Sequence, residues 1–314
     1  GFELSKRLWD NFSNRHLSAG RAQTPVLGWI VDRVRENREK KVYLVLQLES
    51  GTTIWLDVTG RADILELRKK LQSTTARVEA IGEETRVLNP FPPYSTDTLL
   101  RDAYSFLHLG PSYAMRVAQD LFEMGLITYH RTDSTRISGY GIEIAETYLE
   151  RKLPGLFKAR PWGEKGAHEA IRATRPLDLL SLLDRIQSGE MKLGKQLTKQ
   201  HQRLYEMIFR RFMASQMKAA SVLYQRFRIV VQDFMVEKEQ RVEVKEPGFT
   251  SMMPMRVEKR IEPGQRRVRT VSKRTMPKVM LFSVADIIST MRQKEIGRPS
   301  TYAKLVDTIF NRRY

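Results

Sequence analysis

Cysteine is absent from all 314 positions of the sequence. This absence excludes a disulfide framework, a thiol nucleophile, and any cysteine-based zinc or iron–sulfur site within the chain. The sequence also lacks the run of roughly 18 apolar residues that crosses a membrane, and no signal-peptide pattern opens it. We therefore expect a soluble, cytoplasmic protein with no membrane-spanning segment.

Acidic residues are few relative to basic ones. The chain carries 54 Lys and Arg against 36 Asp and Glu, which gives a formal net charge of +18. A surplus of this size predicts a polyanionic partner, with nucleic acid favoured over an anionic membrane surface. No Asp-x-Asp pair occurs and the five histidines are scattered, so the sequence predicts no metal site within the chain.

Two segments resemble ligand-binding motifs but lack an essential residue. Residues 189–196 (GEMKLGKQ) nearly match the phosphate-binding loop, but Gln196 replaces the hydroxyl that binds Mg²⁺. The leucines before this segment have the spacing of a helix rather than a strand. His168-Glu169 begins like a zinc-protease motif, but Arg172 stands where the second histidine is required. Neither an ATP site nor a zinc site is predicted here.

The order of the elements predicts an α+β multidomain fold. Hydrophobic residues make up 41% of the chain, and its length favours two or three subdomains over one. Pro90, Pro92 and Pro93 predict a stiff connector between domains. The periodicities predict helices in 1–41, a hairpin in 42–58, a polar helix in 61–72, β structure to 88, helices in 95–215, strands in 222–245 and 256–282, and a helix–turn–helix in 283–314. The chain is therefore expected to leave two domains and later return to each.

The stretch from Met255 to Lys278 is strongly basic. It has nine Lys and Arg against two Glu, and its charges alternate with Val and Thr. This pattern favours a solvated, twisted hairpin.

A helix followed by a short strand is predicted on the two sides of Gly125. Gly125 is placed to end the helix, and residues 126–130 have an extended pattern. The apolar face of the helix comprises Ala114, Val117, Ala118, Leu121 and Phe122. This combination on a basic background resembles the recognition helix and wing of a winged-helix DNA-binding protein.

The most informative segment is 125–135 (GLITYHRTDST). If Tyr129 lies on a strand, Arg131 and Asp133 project from the same face, because side chains repeat every two residues. A guanidinium beside a phenol favours the phenolate and neutralises the phosphate that the phenolate attacks. The pair therefore suits phosphoryl transfer to tyrosine, although a structural Tyr and Arg on one strand face give the same pattern.

Five segments resemble, in the same order, the motifs of type IA DNA topoisomerases. Segment 125–135 is similar to the active-site signature of that family. The other four are residues 17–25 (LSAGRAQTP), 90–99 (PFPPYSTDTL), 167–174 (AHEAIRAT) and 296–303 (IGRPSTYA). Ala22 and Ala173 depart from the Val and Pro that are usual in the family.

The resemblance implies a mechanism of DNA cleavage. Tyr129 would attack a phosphate of single-stranded DNA, form a 5′-phosphotyrosyl bond and release a 3′ hydroxyl, so that strand passage and religation can follow. Arg131 would stabilise the charge of the pentavalent phosphorus. His168 would hydrogen-bond a nearby phosphate or relay a proton, with a structural core histidine as the alternative.

The resemblance also implies residues that hold the DNA strand by its phosphates. These are Arg21, Gln23, Thr132, Asp133, Ser134, Arg172, Arg298, Ser300 and Thr301. A surface charge or a helix cap is the alternative, and Ser300 in particular suits an N-cap. Tyr302 is expected to pack rather than to stack on a base.

The ring-shaped architecture of the family would explain the order of the elements. Residues 1–41 and 279–314 would form a helical base domain, and 42–90 with 216–278 would form a β arch that the chain passes through twice. Residues 91–215 would form a gate domain that carries Tyr129. The helical domains would be winged-helix-like, and hinges near Pro90 to Pro93 and near Ala214 would open the gate.

Within the family, residues 24–29, His130 and the block 197–217 are most similar to reverse gyrases, which join a helicase-like ATPase to a topoisomerase module. The resemblance implies that Mg²⁺ and ATP are bound outside this chain, by a toprim domain and a helicase-like domain of the same polypeptide. We expect the chain to be a piece of a longer protein that binds single-stranded DNA but does not relax supercoils alone. A non-catalytic winged-helix DNA-binding protein is the alternative, since charge and helix–turn–helix pattern fit it equally well.

Overall fold

The computed structural model describes residues 2–15, 19–164 and 168–311 of the chain. These residues form an α+β fold with ten α-helices and six β-strands. The strands build one antiparallel sheet, and most of the helices pack together as a separate body. The motif residues Leu17, Ser18 and Ala167 lie outside the described residues.

The first part of the chain folds as its periodicity predicts. Helix α1 spans Phe2–Phe12 and α2 spans Gln23–Arg38. Strands β1 (Lys40–Leu48) and β2 (Thr53–Asp57) then form the expected antiparallel hairpin. Gly51 makes the turn between them with a φ of +85°, a conformation that residues with a Cβ avoid.

The remaining strands come from two distant parts of the chain. Helix α3 (Ile64–Gln72) precedes β3 (Thr75–Leu88). The later strands are β4 (Ala220–Val231), β5 (Phe234–Glu246) and β6 (Gly264–Pro277). The order across the sheet is β2-β1-β6-β3-β4-β5, with every pairing antiparallel.

The hairpin predicted in the basic stretch is wrong. Instead, β6 is a single strand of 14 residues that lies between β1 and β3. Val268 and Val271 point into the core of the sheet, while most of the basic side chains are exposed. The alternating charges correctly predicted that one face of the strand is exposed to solvent. They could not show that the strand pairs with a neighbour along both edges.

The sheet curls so that its two edge strands approach each other. The Nζ of Lys238 on β5 donates a hydrogen bond to the carbonyl of Thr53 on β2, and burial lowers the pKa of Lys238. Inside the curl, β1 buries Leu44, Leu46 and Leu48. Helix α3 closes this core with Leu67 and Leu71, among other apolar side chains.

The helical body comes mainly from the middle of the chain. Its helices are α4 (Thr96–Leu107), α5 (Pro111–Glu123), α6 (Gly139–Lys152), α7 (Leu179–Gln187) and α8 (Lys199–Ser215). In α8, Leu204, Ile208 and Phe212 follow one another at intervals of four and are fully buried. A short 3-10 turn at Gly248–Ser251 packs beneath α8.

The predicted helix–turn–helix at the end of the chain is present as α9 (Val284–Gln293) and α10 (Tyr302–Asn311). Both helices pack on the helical body, α9 against α4 and α10 against α5. Val284, Ile288 and Val306 belong to the same continuous core as the middle helices. The division into base, arch and gate domains stays a prediction.

The predicted strand at 126–130 is wrong. Ile127 forms an isolated bridge with Ala173, and no regular strand follows. Gly125 does end α5, with a φ of +69° and a backbone N–H that donates to the carbonyl of Phe122 at 2.8 Å. Phe122 differs from the expected core position, because it is 36% exposed.

Candidate active site

Tyr129 lies on the loop that follows α5, with 42% of its surface exposed. Three aromatic rings surround it. The ring centroid of Phe122 is 5.4 Å away, that of His130 is 5.6 Å away and that of His168 is 6.4 Å away. The ring is therefore held between neighbours while solvent reaches part of it.

The backbone beside Tyr129 is fixed by the segment that follows His168. The N–H of Thr128 donates to the carbonyl of Arg172 at 2.9 Å, and the Thr128 hydroxyl donates to the carbonyl of Ala170 at 2.7 Å. The N–H of Arg172 donates back to the Thr128 hydroxyl at 3.0 Å. These bonds join two motifs that are about 40 residues apart in sequence.

The other side of the tyrosine loop is fixed by Thr96 at the start of α4. The Thr96 hydroxyl lies 2.8 and 2.9 Å from the carbonyl oxygens of His130 and Thr132 and shares its single proton between them. It also accepts the N–H of Thr132 at 2.9 Å, and the N–H of Thr96 donates to the Thr132 carbonyl at 2.8 Å. The proline-rich motif therefore positions the tyrosine loop through the backbone and side chain of one residue, Thr96.

His130 faces the interior, directly next to the exposed Tyr129. It is fully buried, and both ring nitrogens lack a hydrogen-bond partner among the described residues. Burial, with a smaller contribution from the Arg131 charge, lowers the pKa of His130 to about 4. The imidazole is therefore neutral at physiological pH.

Arg172 also faces the interior, which differs from its predicted role in holding phosphates. Its side chain is 4% exposed, and its guanidinium forms an ion pair with Glu169 at 2.7 Å. It donates to the Ala173 carbonyl at 3.1 Å as well. Burial opposes ionisation of Glu169, but hydrogen bonds from Ser138 and the charge of Arg172 hold the pKa of Glu169 below its ordinary value. Arg172 thus positions the loop that carries His168.

The structure brings together two of the three residues predicted to be catalytic. His168 is exposed and lies beside Tyr129, so it is not a core histidine. Arg131 is exposed as well, but it lines a groove together with Ser300. Because 126–130 is not a strand, the expected alternation of Tyr129, Arg131 and Asp133 on one strand face does not apply.

A groove of about 730 Å³ gathers predicted strand-binding residues from both ends of the chain. Arg21 and Gln23 enter it from the start of α2, and Arg298 and Thr301 enter it from the turn before α10. The Nε2 of Gln23 is buried without a hydrogen-bond partner among the described residues. An unpaired amide donor in a cationic groove suits an anionic oxygen.

A second groove, of about 630 Å³, adjoins the first at Lys304, which lines both. It contains Arg131 and Ser300, with Arg116 on the facing helix α5. Arg21, Arg298, Lys304, Arg131 and Arg116 thus supply positive charge along the two grooves, against Glu295, Asp120 and Asp307. The path leads from α2 to the loop that carries Tyr129.

The other predicted contacts have mixed environments. Thr132 is 2% exposed and its backbone binds Thr96, so it faces away from solvent. Asp133 is exposed, and the Ser134 hydroxyl accepts the N–H of Arg136 at 3.1 Å. The Thr301 hydroxyl accepts the N–H of Arg298 at 2.8 Å and closes the turn before α10.

Tyr302 is 3% exposed, in agreement with the expectation that it packs. Burial, with the charge of Asp97, raises its pKa. A buried phenol with a raised pKa is a poor competitor of Tyr129 as a nucleophile.

Lys304 and Arg116 were missed in the sequence. Lys304 could have been predicted from the sequence. It follows Ser300 by four residues and Thr301 by three, and this spacing places the three side chains on one face of a helix. Arg116 could not, because only the packing of α10 against α5 brings it to the groove.

The described residues lack a metal-binding cluster, and segment 189–196 is not a phosphate-binding loop. They contain no group of three or more His, Asp or Glu side chains arranged to hold a metal ion. The segment 189–196 follows α7 rather than a strand, as its leucine spacing predicted, and so lacks the context of a phosphate-binding loop. Among the described helices, none is both long and apolar enough to cross a membrane.

Sequence comparison relates the chain to known topoisomerases. A family model for DNA topoisomerase matches residues 1–314. The reverse gyrase of Pyrococcus furiosus is 47% identical over 320 residues, which cover 100% of this chain and 26% of that protein. The reverse gyrase of Pyrobaculum aerophilum is 46% identical over 318 residues, which cover 100% of this chain and 25% of that protein.

The fold leads to the same family. Full-length topoisomerase I from Thermotoga maritima superposes with a TM-score of 0.73 at 28% sequence identity, covering 100% of this chain and 54% of the other. The chain spans about a quarter of the length of the reverse gyrases it matches. With a family match over its whole length and five type IA motifs in order, the chain belongs to the DNA topoisomerase family, in its type IA branch, and is related to part of reverse gyrase.

Proposed function

We propose that Tyr129 cleaves single-stranded DNA by transesterification. The phenol oxygen attacks the phosphorus, the bond from phosphorus to the 3′ oxygen breaks, and a 5′-phosphotyrosyl ester forms. The phenol proton is lost and the leaving 3′ oxygen gains one, so charge and atoms balance. Because one ester replaces another, the reaction is reversible and religation can follow strand passage.

His168 is proposed to act on the scissile phosphate. Its imidazole lies beside the Tyr129 ring on the exposed side of the loop. From there it donates a hydrogen bond to a phosphate oxygen or relays the proton of the phenol. Arg131 is proposed to neutralise the phosphate next to the attacked one, because it lies in the groove wall that adjoins the loop.

The two grooves are proposed to hold the single strand on either side of the cleavage position. Arg21, Arg298 and Lys304 contact phosphates, which provides affinity with little sequence preference. Arg172 and Thr132 are left out of this set because both are buried. They position the loops that carry His168 and Tyr129.

The larger protein is proposed to supply the rest of the reaction. Mg²⁺ and ATP would be bound by toprim and helicase-like domains outside this chain. Residues 91–215 would act as a gate that swings away from the α9–α10 region to let a second strand pass.

The observation that carries this proposal is an accessible Tyr129 with His168 at its side, held by three motifs that are distant in sequence. A non-catalytic winged-helix protein is disfavoured, because the wing strand expected after α5 is absent from the described residues.

The direct test is Tyr129→Phe in the full-length protein. We expect the covalent protein–DNA adduct, trapped with denaturant on a labelled single strand, to fall below detection. Binding of the strand should stay within a few-fold of wild type, because the ring still packs against Phe122 and only the nucleophilic oxygen is lost.

Tyr140→Phe is the matched control, because Tyr140 is 64% exposed on α6 and has no place in the proposed site. It should form the adduct at the wild-type level. An adduct that persists in Tyr129→Phe would assign the nucleophile to another residue and contradict the proposal.

A further inference from the structure

The sheet has a solvent-facing surface that the cleavage chemistry does not use. Strand β1 buries Leu44, Leu46 and Leu48, so the alternate side chains of β1 point outward. On β2 the same alternation turns Trp55 outward. We call this surface, formed by Tyr43, Gln47, Trp55, Arg267, Arg269 and Arg274, the outer sheet face.

The register of the strands brings aromatic and basic side chains of this face together. Tyr43 on β1 pairs directly with Arg274 on β6, and its neighbour Val45 pairs with Trp55 on β2. The rings of Tyr43 and Trp55 meet edge to face with centroids 5.7 Å apart. Trp55 remains 44% exposed. A tryptophan that is supported by a second ring and still open to solvent is a platform on which a flat group can stack.

The charges on this face are unbalanced. Arg267, Arg269 and Arg274 are exposed and form no ion pair with any described residue. The register between β1 and β6 shifts at Gln47, so that Arg269 bulges out of the ladder. The positive charge of these arginines is therefore available to an anionic ligand.

The other half of the sheet has the opposite arrangement. Arg228 on β4 contacts Glu237 at 2.6 Å, and Arg86 on β3 contacts Glu239 at 2.7 Å. Arg86 and Arg228 are thus neutralised by acids on strand β5, whereas Arg267, Arg269 and Arg274 on β6 have no acidic partner among the described residues. Unpaired arginines beside an exposed aromatic pair leave positive charge available to an anionic ligand.

We propose that the outer sheet face is a second binding site for single-stranded nucleic acid. Bases stack on Trp55, and the phosphates on either side contact Arg274 and the arginines of the β6 bulge. The chemistry favours a single strand over a duplex, because only unpaired bases can expose a face to an aromatic ring on a sheet. This site lies on the sheet, whereas Tyr129 and both grooves lie in the helical body, so it does not depend on the cleavage proposal.

Local photocrosslinking in the full-length protein tests this site without interference from other DNA-binding parts. Gln47→p-benzoylphenylalanine places a photoreactive group on the outer sheet face and leaves Trp55 and Arg274 in place. Leu65→p-benzoylphenylalanine is the control, because Leu65 is 73% exposed on α3, which lies on the other side of the sheet. The probe is a labelled single strand of about 16 nucleotides, long enough to fill one such site.

We expect crosslinks from position 47 and none above background from position 65. Adding Trp55→Ala should reduce the yield at position 47 about tenfold at subsaturating DNA, the loss of one stacked base. Arg274→Ala should reduce it several-fold, while Arg228→Ala, whose charge is already paired, should leave it unchanged. Tyr129→Phe should also leave it unchanged, which separates this site from the cleavage site.

Three results would overturn the proposal. One is equal crosslinking from positions 47 and 65, and another is crosslinking from position 47 to protein instead of DNA. The third is displacement of the probe by unlabelled duplex as readily as by unlabelled single strand. If Trp55→Ala lowers the melting temperature, Trp55→Leu retains the apolar contact with Tyr43, and it must show the same loss of crosslinking.

Discussion

Tyr129 and His130 are adjacent in sequence but occupy opposite environments. Tyr129 is 42% exposed, whereas His130 is fully buried with neither ring nitrogen paired among the described residues. The loop turns one aromatic side chain toward solvent and buries the next, which anchors the loop. A buried imidazole without partners makes this anchor sensitive to protonation.

The stability of the protein should therefore depend on pH through His130. Its pKa is about 4 in the folded chain, below the ordinary value of 6.5. As pH falls, the unfolded chain takes up this proton first, so the stabilisation is complete above pH 6.5, is lost between pH 6.5 and about 4, and changes no further below. The loss amounts to roughly 3 kcal/mol.

Urea unfolding at a series of pH values measures this contribution. In His130→Phe we expect the drop between pH 6.5 and 4 to shrink by this amount, because phenylalanine does not titrate. Any change in packing caused by the phenylalanine shifts the free energy of unfolding by the same amount at every pH. Leu180→Ala, at an apolar side chain that is 80% exposed, is the control and should keep the wild-type pH dependence. A drop that persists in His130→Phe would assign the titration to other groups.

Among the elements, helix α6 packs very closely against the buried side chain of Arg172. Gly141 lies against the buried Arg172, and a Cβ at this position would come within 2.7 Å of the Arg172 Nε and 2.8 Å of a methyl carbon of Ile137. The glycine therefore lets α6 approach the guanidinium that is paired with Glu169. This contact couples the position of a helix to the loop that carries His168.

We predict opposite effects for two alanine substitutions at glycines within helices. Gly141→Ala should destabilise the protein by about 1–3 kcal/mol, the usual cost of overpacking, and should slow cleavage by displacing the His168 loop. Gly28→Ala on α2 should stabilise it by about 0.5–1 kcal/mol, because no atom lies within 4 Å of the added Cβ. Denaturant unfolding measures both effects, and a stabilised Gly141→Ala would contradict the close packing seen here.

On the scale of the whole molecule, packing gathers basic residues that are scattered in sequence along two adjoining grooves. The formal charge of +18 says only that a polyanion is preferred. The grooves select Arg21, Arg298 and Lys304 from opposite ends of the chain and place them side by side. Other basic residues, such as Arg86 and Arg228, are paired with acids instead.

Binding of single-stranded DNA should weaken steeply as salt concentration rises. Each phosphate contact contributes about 0.7 to the slope of log K against log salt for a single strand. Arg298→Ala should therefore lower this slope by about 0.7 and weaken binding similarly for all sequences. Lys70→Ala is the control, because Lys70 is paired with Glu66 at 3.0 Å on α3 and should not change the slope. A slope unaltered by Arg298→Ala would remove Arg298 from the DNA path.

Local sequence patterns predicted much of the fold. The hairpin of β1 and β2, the strands β4 and β5, and the helices α9 and α10 all lie where periodicity indicated. Gly125 was recognised as a helix end because a positive φ is a local requirement. Such features depend on neighbours within a few residues, which any stretch of sequence displays.

The sequence by itself determined the family and the alternation of helical and β segments, and it predicted Tyr129 as the nucleophile, because motifs and periodicities are carried by consecutive residues. Tertiary structure alone decided which motif residues are exposed and which are buried. Arg172 looked like a phosphate ligand until packing paired it with Glu169, and 126–130 looked like a strand but found only one bridging partner, at Ala173. Burial and strand pairing depend on residues tens of positions away, and the free energy of those long-range contacts outweighs local preference.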